Sequence, residues 1–253
     1  MDKAINAKAP QQTNKTPFIT QINQDWPFNN PWSGCAFAAS NFNAEWVSST
    51  DFEKLALPPL KATNKRQAEF VAGRYCAQHA LNQIIASPVV PARHPDTGQP
   101  DWPQGLCGSI SHSHGWAAAV VSRQQDWLAL GMDIERCIAN TRAERLHKAV
   151  LRQSELDLFE SVNLWSFAEF LTCIFSAKES LFKTLNPLTQ RYFGFLDAEV
   201  ISLNDDGTFK IRLLKELSRH WPNQSVINGQ WARFAHGFIT IAGVQAAEPL
   251  HSN

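Results

Sequence analysis

The sequence has no excess of either charge. Its 253 residues carry 23 Lys and Arg against 23 Asp and Glu. No net field therefore draws it to nucleic acid or to an anionic membrane, and any basic site must be local. Cysteine is sparse and unpatterned. Cys35, Cys76, Cys107, Cys137 and Cys173 are odd in number and scattered, with no CxxC, so neither a zinc knuckle nor a disulfide framework is signalled, and a reducing cytoplasm is the expected setting. Long apolar runs are also missing. Met1 to about Thr16 is polar and lacks the apolar core of a signal peptide, and no stretch approaches the roughly 18 to 20 apolar residues of a membrane span. Hydrophobic residues nevertheless make up 44% of the chain, enough to bury a core in one large domain or two small ones.

Residues 1–16 read as a flexible tail rich in Lys, Gln, Asn and Ala. Short strands are expected at Pro17–Gln21 and Gly34–Ser40, on either side of a turn over Asp25–Ser33. A helix follows over about Asn64–Ile85, with Phe70, Gly73, Ala77, Leu81 and Ile84 on its buried face. Gly73 in mid-helix costs about 1 kcal/mol against Ala, which points to a close approach there. Arg66 and Arg74 flank that face two turns apart. Strands are expected at Gly108–His112, Trp116–Ser122 and Trp127–Glu135, then helical segments near 141–161 and a long helix over about Ser166–Leu185. The last strands fall at Leu196–Leu203, Thr208–Leu214, Gln230–Phe234 and Phe238–Val244. The order is thus helix then strands, twice. His114-Gly115-Trp116 and His236-Gly237-Phe238 each open an apolar run, a short hint of a repeat. The expected architecture is α+β, as two similar halves related by a pseudo-twofold: 17–130 and 131–253, after the tail at 1–16, with a site between them.

The long helix holds the densest pattern. Ile174, Ala177, Leu181 and Leu185 form one apolar stripe at helical spacing. Glu179 and Lys183 point away from it, with Phe175 and Phe182 beside them and Lys178 on the flank. The plain reading is an i,i+4 ion pair worth a few tenths of a kcal/mol. Two upstream stretches weigh against it. In Leu128-Ala129-Leu130-Gly131-Met132-Asp133-Ile134-Glu135 the side chains alternate, so Asp133 and Glu135 leave one face about 7 Å apart. Paired carboxylates are costly unless solvated, protonated or bridged by a cation, and hard oxygens at that spacing suit Mg²⁺. In Gly108-Ser109-Ile110-Ser111-His112-Ser113-His114, small hydroxyls at a strand end leave donors open, and His112 can carry a proton near neutral pH. His112 and His114 could instead bind zinc, but no third soft ligand is placed nearby. A serine hydrolase would need a G-x-S-x-G elbow, which is missing. Jointly these groups describe a site for a magnesium-bound pyrophosphate.

Gly131-Met132-Asp133-Ile134-Glu135, followed about forty residues later by Phe175-Ser176-Ala177-Lys178-Glu179-Ser180-Leu181-Phe182-Lys183, resembles the paired signature of 4′-phosphopantetheinyl transferases. Ser109-Ile110-Ser111-His112-Ser113 and Arg66…Glu69…Ala72-Gly73-Arg74-Tyr75-Cys76-Ala77 match the same family. With the Trp102-Pro103-x-Gly105 lead-in, they are most similar to its enterobactin synthetase component D branch, in the Sfp-like group of monomers. The resemblance covers roughly residues 50–245. It implies the 4′-phosphopantetheinyl transferase fold. It also implies transfer of the phosphopantetheine arm of coenzyme A to a serine of an apo acyl or peptidyl carrier protein, with release of adenosine 3′,5′-bisphosphate.

By the same resemblance Asp133, Glu135 and Glu179 are the magnesium ligands, Lys178 and Lys183 hold the coenzyme A phosphates, Ser111 and His112 contact phosphate, and Arg74 and Arg66 approach the 3′-phosphate. Met132, Phe175 and Phe182 depart from the usual residues by volume-tolerant swaps. Glu179 is the expected base for the serine hydroxyl, with Lys183 offsetting charge on the transferring phosphate. The partners implied are coenzyme A and an acidic carrier protein of siderophore, polyketide or fatty-acid assembly. Arg142, Arg145 and Lys148 are candidates for its docking face, or an ordinary solvated helix edge. Two other classes compete. A metal-dependent nuclease would place E-x-K on the next strand rather than Lys-Glu on a helix. A non-catalytic binding module would be favoured by loss of an acid, and all three acids are present.

Overall fold

Apolar stripes at helical spacing need a sheet to cover them, and each of the two long helices finds one. The computed structural model describes residues 18–23, 32–42, 61–86, 90–161, 165–234 and 236–246. The tail expected at 1–16 lies outside them, as do Pro17 and most of the expected turn at 25–33. In chain order the strands are β1 (Ile19–Asn23), β2 (Trp32–Phe37), a short hairpin of β3 (Ala92–Arg93) and β4 (Pro100–Asp101), β5 (Leu106–Ser113), β6 (Trp116–Arg123), β7 (Trp127–Arg136), β8 (Ala198–Leu203), β9 (Thr208–Leu213), β10 (Val226–Phe234) and β11 (Gly237–Gln245). The helices are α1 (Asn64–Leu81), α2 (Asn140–Val150), α3 (Gln153–Ser161) and α4 (Phe167–Thr189).

Two antiparallel sheets result, ordered β1-β2-β6-β5 and β7-β11-β10-β9-β8. On the first sheet, α1 buries Ala68, Val71, Ala72, Cys76 and Ala77 against Cys35, Phe37, Ala117 and Ala119. On the second, α4 buries Phe170, Leu171, Ile174, Ala177, Leu181 and Leu185 against Val200, Phe209, Ile211, Leu213 and Phe238. Burial of each large apolar side chain is worth about 2 kcal/mol. A third cluster joins the halves: Cys107, Ala118 and Val120 of the first sheet meet Leu130, Met132, Ile134, Ile239 and Ile241 of the second. The architecture is α+β, as expected.

Several local rules set the boundaries. Ser166 caps α4 with a full capping box, its Oγ accepting the Glu169 N–H while Glu169 accepts the Ser166 N–H, the arrangement that satisfies two orphan donors. The helix runs past the expected Leu185 to Thr189 despite Pro187 in its last turn, and Gln190 ends it in the left-handed region at φ 51°. β10 begins at Val226, earlier than expected, because Gly229 and Asn228 pair with β9 despite their low strand preference. The expected boundary between halves, after residue 130, falls inside β7. That strand belongs whole to the second sheet, and the turn at 124–126 lies between the two sheets. The two His-Gly turns are alike in backbone: His114 and His236 both take positive φ, 45° and 62°, immediately before β6 and β11.

Glycine decides one contact that matters for function. A Cβ on Gly131 would stand 2.0 Å from the Ser180 carbonyl oxygen and 2.4 Å from Thr184 Oγ1. Only glycine lets β7 approach α4 this closely. The facing side of α4 is correspondingly small and hydroxylated. Ser176 and Ser180 bond Thr240 Oγ1 at 2.9 and 2.7 Å, and Thr184 Oγ1 donates to the Ala242 carbonyl at 3.1 Å. No helix among the described residues is long and apolar enough to cross a membrane.

Candidate active site

The close β7–α4 approach brings Lys183 onto Asp133. The Lys183 ammonium donates to Asp133 Oδ1 at 2.6 Å, to Ser111 Oγ at 3.1 Å and to the Met132 carbonyl at 3.1 Å. Asp133 is 4% exposed. Its Oδ1 also accepts from Ser111 Oγ at 2.9 Å, and that hydroxyl in turn accepts the Ile134 N–H. Its Oδ2 is buried with no hydrogen-bond partner. An orphaned carboxylate oxygen in the interior is costly unless a cation or donor reaches it.

Glu135 leaves the same face of β7, as alternation requires, and accepts from Ser113 Oγ at 3.2 Å. Burial, and then the Asp133 charge, push its carboxyl up to about 7. Glu179 on α4 is raised from the ordinary range by the same two causes in the same order, with Lys183 pulling the other way. Asp133, Glu135, Glu179 and Lys183 therefore share one electrostatic environment, although β7 and α4 are far apart in sequence. Among the described residues no three His, Cys, Asp or Glu side chains close round a common point. The Lys183 ammonium is what bonds Asp133. The donor set suits magnesium: hard carboxylate oxygens, one of them unpartnered, with two acids whose burial favours neutralisation by a proton or a cation.

The first half adds a second cluster. Arg66 Nη1 donates to His112 Nε2 at 2.6 Å and to Glu69 Oε2 at 3.4 Å. His112 Nδ1 stands 3.7 Å from that carboxylate. Burial lowers the proton affinity of His112, Glu69 raises it, and Arg66 and Lys183 lower it further. Burial outweighs the Glu69 attraction. A neutral imidazole accepting from Arg66 at Nε2, with Nδ1–H turned to Glu69, satisfies both contacts. Arg66 is half-exposed, and His112, to which it donates, also feels Lys183 and Asp133.

Three expected site residues lie elsewhere or do other work. Lys178 is turned away from the acids. Its ammonium is bonded to Glu155 Oε2 at 2.7 Å and to the Val150 carbonyl at 2.8 Å, because the 100° step from Glu179 points it at α2 and α3. Ser111, expected as an open phosphate donor, is buried, and its hydroxyl is spent on Asp133, Ile134 and Lys183. Arg74 is buried too. It donates to the Ala92 carbonyl at 3.3 Å and lies over the Phe70 ring, and burial followed by Arg93 lowers it to about 10. The His114 side chain is bonded to Ser113 Oγ. Glu155 and Ser113 were not singled out by sequence reasoning. Ser113 carries a signal in its spacing from Ser111, matching that of Glu135 from Asp133, whereas nothing local marks Glu155.

Acids from a strand and a helix, with cations from both lobes of this α+β protein, make a site suited to a phosphate-bearing substrate. Family models agree. Residues 55–122 match the 4′-phosphopantetheinyl transferase N-terminal domain, and residues 129–238 match the 4′-phosphopantetheinyl transferase superfamily. The chain belongs to the 4′-phosphopantetheinyl transferase superfamily. It is 36% identical over 180 residues to enterobactin synthase component D of Salmonella typhimurium, covering 70% of this chain and 73% of that protein. It is 39% identical over 143 residues to enterobactin synthase component D of Salmonella typhi, covering 56% of this chain and 58% of that protein. To 4′-phosphopantetheinyl transferase PptT of Mycobacterium tuberculosis it is 30% identical over 179 residues, 68% of this chain and 76% of that protein.

Proposed function

We propose that this chain moves the 4′-phosphopantetheine arm of coenzyme A to a serine of an apo acyl or peptidyl carrier protein, with magnesium, releasing adenosine 3′,5′-bisphosphate. The reading is carried by the Asp133–Lys183 contact at 2.6 Å, with Asp133 Oδ2 left unpartnered beside two acids of raised proton affinity. Asp133, Glu135 and Glu179 would hold the magnesium ion, which when bound neutralises pyrophosphate charge.

Glu179 takes the proton from the carrier serine, a role that its raised proton affinity suits. The serine oxygen then forms a bond to the β-phosphorus. The bond from that phosphorus to the bridging oxygen breaks, and the electron pair leaves on adenosine 3′,5′-bisphosphate. Lys183 offsets negative charge on the transferring phosphate oxygens. Arg66, held by the neutral His112, forms the cationic edge that receives the nucleotide phosphates. Arg74, buried on α1, keeps donors beyond the one given to the Ala92 carbonyl for the 3′-phosphate. Phe182, Tyr192, Phe193 and Phe195 line a pocket of about 120 Å³ next to Glu179, a wall suited to the uncharged arm.

Carrier proteins of the siderophore class fit the named relatives; polyketide and fatty-acid carriers remain in the same substrate class. Arg142, Arg145 and Lys148 are exposed on α2 and form the basic part of the docking face. The protein acts as a monomer in the cytoplasm, where its five free cysteines stay reduced. The test is incubation with coenzyme A, Mg²⁺ and a panel of apo carrier proteins, read by mass spectrometry. A gain of one phosphopantetheine unit is expected. No gain on any carrier, or an undiminished gain in EDTA, would overturn the reading.

A further inference from the structure

Glu155 and Lys178 form an ion pair in the interior of the second lobe, with side chains 0% and 2% exposed. Every polar atom of the pair is used. Lys178 Nζ reaches Glu155 Oε2 at 2.7 Å and the Val150 carbonyl at 2.8 Å. Glu155 Oε2 also accepts the Arg152 N–H at 2.9 Å, and Oε1 accepts the Val200 N–H at 2.8 Å. One carboxylate thus ties the start of α3 to β8 and, through the lysine, to α4 and the end of α2.

We infer that Glu155 is a positioning residue: acting through Lys178, it fixes the rotation of α4 and so aims Glu179 and Lys183 at the reacting phosphate.

The argument begins with cost. Two charges taken out of water lose hydration worth several kcal/mol each, and apolar residues of similar volume often serve stability as well or better. Stability alone therefore gives no reason for charges here. Direction does. A fully bonded ion pair fixes geometry in a way that apolar packing does not, since each partner has set hydrogen-bond directions. On its other side α4 is held to Thr240 and Ala242 by hydroxyls of Ser176, Ser180 and Thr184. The pair at Lys178 is the matching anchor on the opposite flank. Glu179 is the next residue, so its carboxylate turns with Lys178. At about 6 Å from the helix axis, a rotation of about 10° moves that carboxylate about 1 Å. Misplacement of that size costs on the order of 10²-fold in rate.

The test is the double variant Glu155→Leu/Lys178→Met, which leaves neither charge stranded, although the Val150 carbonyl and the Arg152 and Val200 N–H groups lose their partners. The expected result is a lower Tm, a KM for coenzyme A within about twofold, and a kcat, corrected for the folded fraction, lowered about 30- to 100-fold. Unchanged kcat would overturn the inference. A KM raised in step with the fall in kcat would also overturn it, since Lys178 would then touch the ligand, and so would a kcat that falls only in proportion to the folded fraction, since the pair would then merely hold the fold. The inference rests on the transfer reaction proposed above, and wild-type protein assayed alongside keeps the two apart. Wild type that transfers nothing fails that reaction and this inference together, whereas equal transfer by wild type and variant fails this inference alone.

Discussion

Glu135 makes the stability of the metal-free protein depend on pH in a direction opposite to that of most carboxylates. Burial and Asp133 raise its carboxyl from 4.5 to about 7. The native state therefore holds this proton more tightly than the unfolded chain does. Its contribution is fully present below about pH 4.5 and is lost as pH rises through about 7. A shift of that size corresponds to about 3 kcal/mol, and partial exposure reduces it to about 1–2 kcal/mol. Glu179 acts in the same direction. His112 acts in the opposite one: burial lowers its proton affinity, so folding is favoured as pH rises through the ordinary histidine range. The clean measurement is a difference. Urea denaturation of wild type and Glu135→Gln across about pH 4 to 8 should give nearly equal stabilities at the acid end and a variant about 1–2 kcal/mol more stable at the alkaline end. Added Mg²⁺ should close that gap at the alkaline end by stabilising wild type, and should do little at the acid end. A gap that does not change with pH, or a wild type that Mg²⁺ stabilises equally at both ends, would refute the electrostatic account of the acid cluster.

Lys183→Met should cost about 1–3 kcal/mol without divalent cation, because Asp133 loses its ionic partner, and Mg²⁺ should recover much of that loss in a thermal melt. Its transfer rate should fall about 10²- to 10³-fold. Gly131→Ala should cost about 3 kcal/mol or more in chemical denaturation, since the new methyl meets the Ser180 carbonyl at 2.0 Å and backbone must move. Arg66→Ala should raise the KM for coenzyme A about tenfold while leaving kcat nearly unchanged. In the same variant His112 should titrate at higher pH by NMR, because a neighbouring cation is gone.

Much of the fold was legible because it follows periods of two and 3.6. α4 shows its stripe of Ile174, Ala177, Leu181 and Leu185 in the sequence, and all four are fully buried. The alternation that puts Asp133 and Glu135 on one face of β7 is equally local. Gly73 announced a close approach, and a Cβ there would meet Ile110 Cγ2 at 2.7 Å. What stayed hidden depends on neighbours supplied from elsewhere in the chain. Lys178 stands beside Glu179 in sequence and looks like a member of the same site, yet Glu155, 23 residues earlier, holds it in the interior. Ser111 looks like an open donor until Asp133 and Lys183 occupy it.

Taken alone, the order of residues determined which side chains share a face, where the helices and strands run, and the family signature spelled by Asp133, Glu135 and Glu179. Those properties depend on covalent geometry and short-range periodicity. The tertiary structure decided which charges meet: Lys183 with Asp133, Lys178 with Glu155, Arg66 with His112 and Glu69. Electrostatic and hydrogen-bond energies fall off over a few ångströms, so partners tens of residues apart become partners only when packing brings their elements together.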